Sequence, residues 1–225
     1  MHTPESLTSN LRSWNVPANA TITIHSSLKA IGSVSKPEGG TGADVVLDVL
    51  SSYFAPGLLV LPTHTWDRVS PEEPIFDVEA TPSNVGILGE LFRKRPGVVR
   101  SWHPTHSLAV SGEDAADFVS GEHLRNSPTT RTGCHGKLYD RDAYIALLGA
   151  PLTKNTIIHG AEEWADIPNR FTADPWPLKI RGTDDAGNTF ELDASVFLAK
   201  VRPMVDYTMA LLADSPDLFL SRPSL

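Results

Sequence analysis

The sequence predicts an α/β protein: a three-layer α/β/α arrangement around a central mixed β-sheet, with a late β-hairpin. Three observations carry that expectation. Strand-like apolar runs alternate with helix-spaced segments through the first half of the chain, the pattern of layered α/β folds. YIALLGA followed by NTIIHGAEEWA repeats the strand-then-helix pattern in the second half. LKIRG and TFELD then flank the turn-forming run Asp185-Ala186-Gly187-Asn188 and read as a hairpin.

Taken in order, ATITIH at 20–25 alternates apolar and polar side chains and reads as a strand ending at His25. Val45, Val46, Val49, Leu50 and Phe54 recur at helical spacing over 42–54. Ala55-Pro56-Gly57 stops that helix ahead of LLVLPT, a continuous apolar run suited to a buried strand. A Pro-rich loop is expected over 67–82. After it comes a helix capped by Ser83 or Asn84 that buries Ile87, Leu88, Leu91 and Phe92 and ends at Pro96-Gly97. Residues 98–101 and 106–111 read as strands on either side of His103-Pro104. A short helix at 113–119 and an irregular Gly- and Pro-bearing stretch to about residue 137 follow. The segment 195–213 is amphipathic, with Pro203 opening or kinking its helix. With no internal repeat or low-complexity linker, residues 1–225 are expected to form one domain.

Composition narrows the function classes. Hydrophobic residues make up 40% of the 225 and charged residues 20%, enough for a sizeable core and too apolar for disorder. No apolar run approaches the roughly 20 residues that span a bilayer. MHTPESLTSNLRSW lacks the basic-then-apolar pattern of a secretory signal. No membrane partner and a cytoplasmic location are therefore expected. A formal charge of −8 without a basic stripe argues against nucleic acid. It suits either plain solubility or attraction of a cationic small molecule. Cys134 is the only cysteine, which rules out an intrachain disulfide and a Cys-rich zinc site.

Polar residues gather just after the expected strand ends: His25-Ser26-Ser27-Leu28, Thr63-His64-Thr65-Trp66-Asp67 and His103-Pro104-Thr105-His106-Ser107. In open α/β sheets ligands bind outside the carboxyl ends of strands, so the three clusters suggest one pocket; turn capping is the plainer alternative. The Ser26-Ser27-Leu28 turn offers consecutive backbone N–H groups able to cradle a pyrophosphate. His159 and Glu162 lie at i and i+3 on one helical face. There the carboxylate can orient an imidazole for general-base work or form a surface ion pair. His25, His64, His103, His106 and Glu162 are possible metal ligands, but no HExxH-type spacing joins them and no metal is expected. No G-x-S-x-G elbow marks a serine hydrolase, and Cys134 reads as packing or, alternatively, as an acyl relay.

Read together, ITIHSSLKAIGSV, GGTGADVVLDVL, LLVLPTHTWD, FDVEATPSNVGILGELFRKRPGVVRSWHPTHSLAVSG and LLGAPLTKNTIIHGAEE resemble the aminoglycoside 3-N-acetyltransferase family. The likeness runs from about residue 20 to residue 170. It rests on the motifs TPS-x-x-G-x-L-x-E-x-F-R, RS-x-HP-x-x-S and NT-x-x-H-x-x-E. The resemblance implies acetyl-CoA as donor and a fold distinct from the GNAT acetyltransferases. By position it implies pyrophosphate and pantetheine contacts at Ser26, Ser27 and Leu28, and a thioester pocket lined by Thr63, Thr65, His103 and Ser107. It makes His159 the base that deprotonates the acceptor amine, oriented by Glu162, with direct attack on the thioester. The expected partners are coenzyme A, a small cationic amine of aminoglycoside type and, as a candidate, a second copy in a homodimer. The alternatives are an acyl-CoA-dependent N-acyltransferase for a non-antibiotic small amine, a coenzyme A sensor without turnover, and a metal-dependent hydrolase. Family members usually have a longer chain, and TRTGCHGKLYD departs from the Gly…Ser-Pro pattern expected there.

Overall fold

The structure, a computed structural model, describes residues 1–168, 170–183, 186–198 and 213. Its elements run α1 (Pro4–Ser13), β1 (Thr21–Ser26), α2 (Leu28–Ile31), α3 (Gly42–Tyr53), β2 (Leu58–Pro62), β3 (Ile75–Asp77) and α4 (Ile87–Phe92). There follow β4 (Val99–Arg100), β5 (Leu108–Ser111), α5 (Ala115–Val119), α6 (Cys134–Asp140), β6 (Tyr144–Leu148), α7 (Ile158–Trp164), β7 (Trp176–Thr183) and β8 (Thr189–Val196).

Five strands form the central sheet in the order β4-β5-β2-β1-β6. β1 is parallel to both β2 and β6, while β2–β5 and β5–β4 are antiparallel, so the sheet is mixed. Strand periodicity makes the three layers. Leu59 and Leu61 pack with Leu47, Leu50, Leu88 and Phe92 under α3 and α4, whereas Leu58 and Val60 pack with Phe118, Cys134 and Leu138 under α5 and α6. All five residues of β2 are buried, which is why LLVLPT shows no alternation. Each fully buried Leu or Phe here contributes about 1.5–3 kcal/mol of transfer free energy. Gly89 brings α4 onto the end of β2, since a Cβ there would lie 2.4 Å from the Pro62 carbonyl oxygen.

Four local expectations are corrected. The stretch 67–82 holds β3, which pairs in parallel with β7 and turns the hairpin into a second, three-stranded sheet. Three residues are too few to show alternation, and Phe76 is buried by a partner a hundred residues away, against Leu178 and Ile180. Ser83 and Asn84 do not cap α4, whose cap is Gly86 at φ 106°. The Glu90 carboxylate reaches back to accept the Ser83 N–H at 2.8 Å. Ile87 is exposed, because α4 turns that side away from the sheet. The irregular stretch ends early, at α6, where Gly136 lets the chain fold tightly against Arg131. Of the segment 195–213, residues 195 and 196 belong to β8; beyond Leu198 the expected helix lies outside the described residues except for Ala213. Asp185 of the hairpin turn also lies outside them. Among the described residues no helix is long and apolar enough to cross a membrane.

Candidate active site

The chain leaves β1 for β2 on one side and comes back to β6 on the other, an arrangement that opens a crevice at the carboxyl ends of the strands. A cleft of about 890 Å³ lies there. Ser26 and Ser27 line it at the end of β1, Pro62 and His64 at the end of β2, and Gly149 to Pro151 beyond β6. Gly149 has φ 69°, and a Cβ on it would meet Ala30 Cβ at 2.9 Å, so the β6 exit closes against the Ser27 turn only with glycine there. The opposite wall carries Val85 and Gly86 ahead of α4, and Thr156 and His159 from the opening of α7.

His159 Nδ1 donates to Glu162 Oε2 at 2.8 Å, which leaves Nε2 as the unprotonated nitrogen of a neutral ring. The pair is largely buried, with side-chain exposures of 18% and 7%, and so is not the surface ion pair that spacing alone left open. Arg170 Nε stands 2.8 Å from the same Glu162 oxygen. Burial pushes the His159 pKa below the ordinary imidazole value. The Glu162 hydrogen bond pulls it back up, and the Arg170 charge adds to the depression. A ring kept neutral at physiological pH with one free lone pair can accept a proton. The neighbouring Glu163 accepts from the Ser127 hydroxyl and from the Thr129 hydroxyl (2.7 Å) and braces the 127–129 loop against α7.

The sequence-derived residues divide into two groups. Ser26, Ser27 and His159 line the cleft, with Glu162 directly behind His159. Ser27 is the cap position of α2 without making a side-chain cap, and its hydroxyl has no hydrogen-bond partner among the described residues; its N–H donates to the Leu148 carbonyl at 2.9 Å. Leu28 opens α2 and packs against the core. Thr63, Thr65, His103 and Ser107 are wholly buried beneath the cleft wall and do not line it. Ser107 Oγ donates to the Thr63 carbonyl at 2.7 Å, Thr65 Oγ1 to the Pro104 carbonyl, and His103 Nε2 to the Ser127 carbonyl at 3.0 Å. Arg100 ties the set together. Its guanidinium donates to Ser107 Oγ and to the carbonyls of Thr63, Val78 and Thr81, and burial lowers its pKa to about 9. The RS-x-HP-x-x-S motif therefore builds the wall and positions His64 and His106, which do face the cleft.

Three cleft residues lie outside the site set expected from the sequence. Arg170 lies eight residues past Glu162 in an irregular stretch, and only the fold brings it back. Asn84 read as a helix cap, yet it lines the cleft with both amide atoms buried and unpartnered among the described residues. Thr156 stands in NT-x-x-H, where its spacing from His159 was the available clue. His25 Nε2 is likewise buried without a partner at the cleft, and burial lowers its pKa to about 4. Unsatisfied polar atoms on a cleft wall call for a ligand or water partner. Among the described residues no group of three or more His, Cys, Asp or Glu is placed to hold a metal ion.

A crevice at the ends of parallel strands, with a carboxylate-held neutral imidazole on its wall, is the architecture of an α/β enzyme. Residues 23–194 match the sequence profile of the family described as aminoglycoside 3-N-acetyltransferase. The chain belongs to that family and so to the acyltransferases. Aminoglycoside N(3)-acetyltransferase III of Acinetobacter baumannii is 33% identical over 213 residues, covering 84% of this chain and 70% of that protein. The crystal structure of YokD from Bacillus subtilis superposes with a TM-score of 0.76 at 25% identity, over 95% of this chain and 82% of that one. AAC-IIIb in binary complex with CoASH shares the fold at a TM-score of 0.73 and 24% identity, over 95% and 85% of the two chains.

Proposed function

We propose that residues 1–225 form one acetyl-CoA-dependent N-acetyltransferase domain working in the cytoplasm. It transfers acetyl to an amine of an aminoglycoside-like substrate by direct attack, with His159 as general base. The observation that carries the reading is the 2.8 Å contact of His159 Nδ1 with Glu162 on the wall of a cleft of about 890 Å³. Relatives by fold support the substrate classes: one structure holds CoASH and another, AAC-VIa, holds sisomicin. The Ser26 and Ser27 hydroxyls, which line the cleft at the end of β1, suit the diphosphate and pantetheine of coenzyme A, with Leu28 closing the turn.

In this scheme the amine enters neutral, its ammonium proton lost to solvent. Its nitrogen attacks the thioester carbonyl carbon and passes a proton to His159 Nε2. The tetrahedral adduct then expels the coenzyme A thiolate, which takes that proton from His159. Glu162 keeps the ring in the productive tautomer throughout, and holding both reactants in one cleft makes the encounter effectively intramolecular.

One observation favours a second reading, an acyl-CoA-dependent N-acyltransferase for a small non-antibiotic amine. The charged side chains lining the cleft, among the described residues, are the cations Lys154 and Arg170, which favour an acceptor with fewer positive charges than an aminoglycoside. The experiment is thiol release from acetyl-CoA with sisomicin and with singly charged amines, with and without chelator. Indifference to chelator and amine-dependent release are expected; if none of the amines stimulates release, both readings are overturned. His159→Ala lowers turnover by roughly 10²–10⁴-fold while coenzyme A binding survives, and near-normal turnover in that variant removes His159 from the mechanism.

A further inference from the structure

An amine attacking a thioester drives the carbonyl electron pair onto oxygen, and that developing charge needs a hydrogen-bond donor already in place. The donor must project into the cleft close to the base. Thr156 and His159 meet that condition. They stand three residues apart across the opening turn of α7, where the His159 N–H donates to the Thr156 carbonyl at 3.1 Å, and both line the cleft. Asn155 Oδ1 accepts the Ile157 N–H at 3.1 Å and holds that turn. The neighbouring Ser26–Leu28 turn is a poorer source of donors, because the Ser27 N–H is spent on the Leu148 carbonyl.

The Thr156 hydroxyl has a single partner among the described residues, His64 Nε2 at 3.3 Å. Which of the two donates follows from the other side of the imidazole. His64 is fully buried, and its Nδ1 has no partner among the described residues. Its nearest ring neighbours, His106 at 4.8 Å and His135 at 6.5 Å between centroids, make no hydrogen bond to it. Burial among other imidazoles keeps the ring neutral, so it carries one N–H. With the proton on Nδ1, a donor would be buried with nothing to receive it, at a cost of about 1–3 kcal/mol. With the proton on Nε2, the donor meets Thr156 Oγ1, and the bare Nδ1 lone pair is the easier group to leave unmet. His64 then donates to Thr156, and the Thr156 hydroxyl hydrogen has no acceptor left in the wall except what enters the cleft.

We infer that Thr156 is a catalytic residue whose hydroxyl donates to the oxyanion of the tetrahedral adduct, and that His64 is the positioning residue that turns this hydroxyl toward the cleft. The inference rests on the acetyl-transfer reading above. The C–N bond forms as the carbonyl π pair moves to oxygen, where it accepts the Thr156 O–H without taking its proton. His159 removes the nitrogen proton. The oxygen pair re-forms C=O, the C–S bond breaks with its pair going to sulfur, and His159 returns the proton to the thiolate. Thr156 and His64 finish unchanged.

The test uses the full chain, [1-¹³C]acetyl-CoA and the amine that best stimulates thiol release in the wild type. Thr156→Val keeps the shape and removes the donor; Thr156→Ser keeps the donor. Thr156→Val should lower kcat by about 10²–10³-fold with the KM for acetyl-CoA little changed, and Thr156→Ser should recover most of that loss. The infrared carbonyl stretch of bound acetyl-CoA, which needs no acceptor, should lie below its solution frequency in the wild type and Thr156→Ser and return toward it in Thr156→Val. His64→Gln, which keeps an N–H near the Nε2 position, should exceed His64→Phe in kcat. The double variant with Thr156→Val should be no slower than Thr156→Val alone, since the two act as one unit. A Thr156→Val enzyme with wild-type kcat and an unmoved carbonyl band overturns the proposal, as does equal loss in the Val and Ser variants. Failure of the wild type to bind acetyl-CoA at all, seen by calorimetry, overturns the acetyl-transfer reading itself and is thereby distinguishable.

Discussion

Arg170 and Glu162 form a buried ion pair, Nε to Oε2 at 2.8 Å, on the carboxylate oxygen that also receives His159 Nδ1. One carboxylate oxygen thus serves a cation and a base, and the two neighbours act on the base in opposite senses. Burial is the largest influence on His159 and lowers its pKa; the Glu162 hydrogen bond raises it, and the Arg170 charge lowers it.

The pH profile of kcat/KM reports this balance. The neutral ring is the active form, so activity is present above the His159 pKa and is lost as pH falls through it. That acid limb should lie below the ordinary imidazole value. Arg170→Gln removes a depressing charge and should move the limb to higher pH. Glu162→Gln removes the group that raises the pKa and should move it lower, with turnover down roughly 10²-fold or more as tautomer control is lost. Breaking the buried pair costs about 3–5 kcal/mol, so profiles must be taken well below each variant's Tm. Limbs that shift together, or not at all, would place the titrating base elsewhere.

Cys134 offers a second test. Its thiol is buried, 3.6 Å from the Phe118 carbonyl, and burial beside Glu122 pushes its pKa well above the usual thiol value. A nucleophilic relay needs the thiolate. Cys134→Ala should leave kcat within about twofold while costing roughly 1 kcal/mol of stability for the small void. Loss of turnover together with loss of ping-pong kinetics would show that acetyl passes through the sulfur.

Much of this was legible in the chain, and the physical reason differs from residue to residue. Alternation exposed β1 and helical spacing exposed α3, because each carries enough residues for its buried face to repeat, whereas β2 showed as a continuous apolar run. β3 was invisible, since three residues hold no period and their partner is a hundred residues away. The His159–Glu162 contact was readable because i, i+3 spacing is local. Arg170, the third member of that group, comes from a loop with no pattern. The RS-x-HP-x-x-S motif pointed to the cleft, but its His103 and Ser107 lie beneath the cleft wall. Sequence spacing cannot tell a side chain that lines a cleft from one buried a layer beneath, and Thr63, Thr65, His103 and Ser107 lie in that layer.

The buried histidines in and beneath the cleft wall also make stability dependent on pH. His25 and His103 are held to pKa values of about 4 and His135 to about 3, chiefly by burial, while His64 and His106 lie well below the ordinary value. In the unfolded chain each titrates near 6.5. Below that pH the unfolded state binds more protons than the folded one, so stability is fully present above about pH 6.5 and drains away as pH falls toward 4. Each of these groups loses about 2 kcal/mol of its contribution between pH 7 and pH 5, so Tm should drop by more than about ten degrees over that interval, at about 2–4 °C per kcal/mol for a chain of this size. His135 isolates the cause, because it is buried and neither ring nitrogen has a partner among the described residues. Replacing such a group by an apolar one of similar size is nearly neutral or stabilising. His135→Leu should therefore match or exceed the wild-type Tm at pH 7 and lose less on acidification. Calorimetric scans from pH 7.5 to 4.5 check this. A variant with an unchanged acid slope would assign the loss to other groups, and one destabilised at pH 7 would mean that His135 is satisfied by bound water.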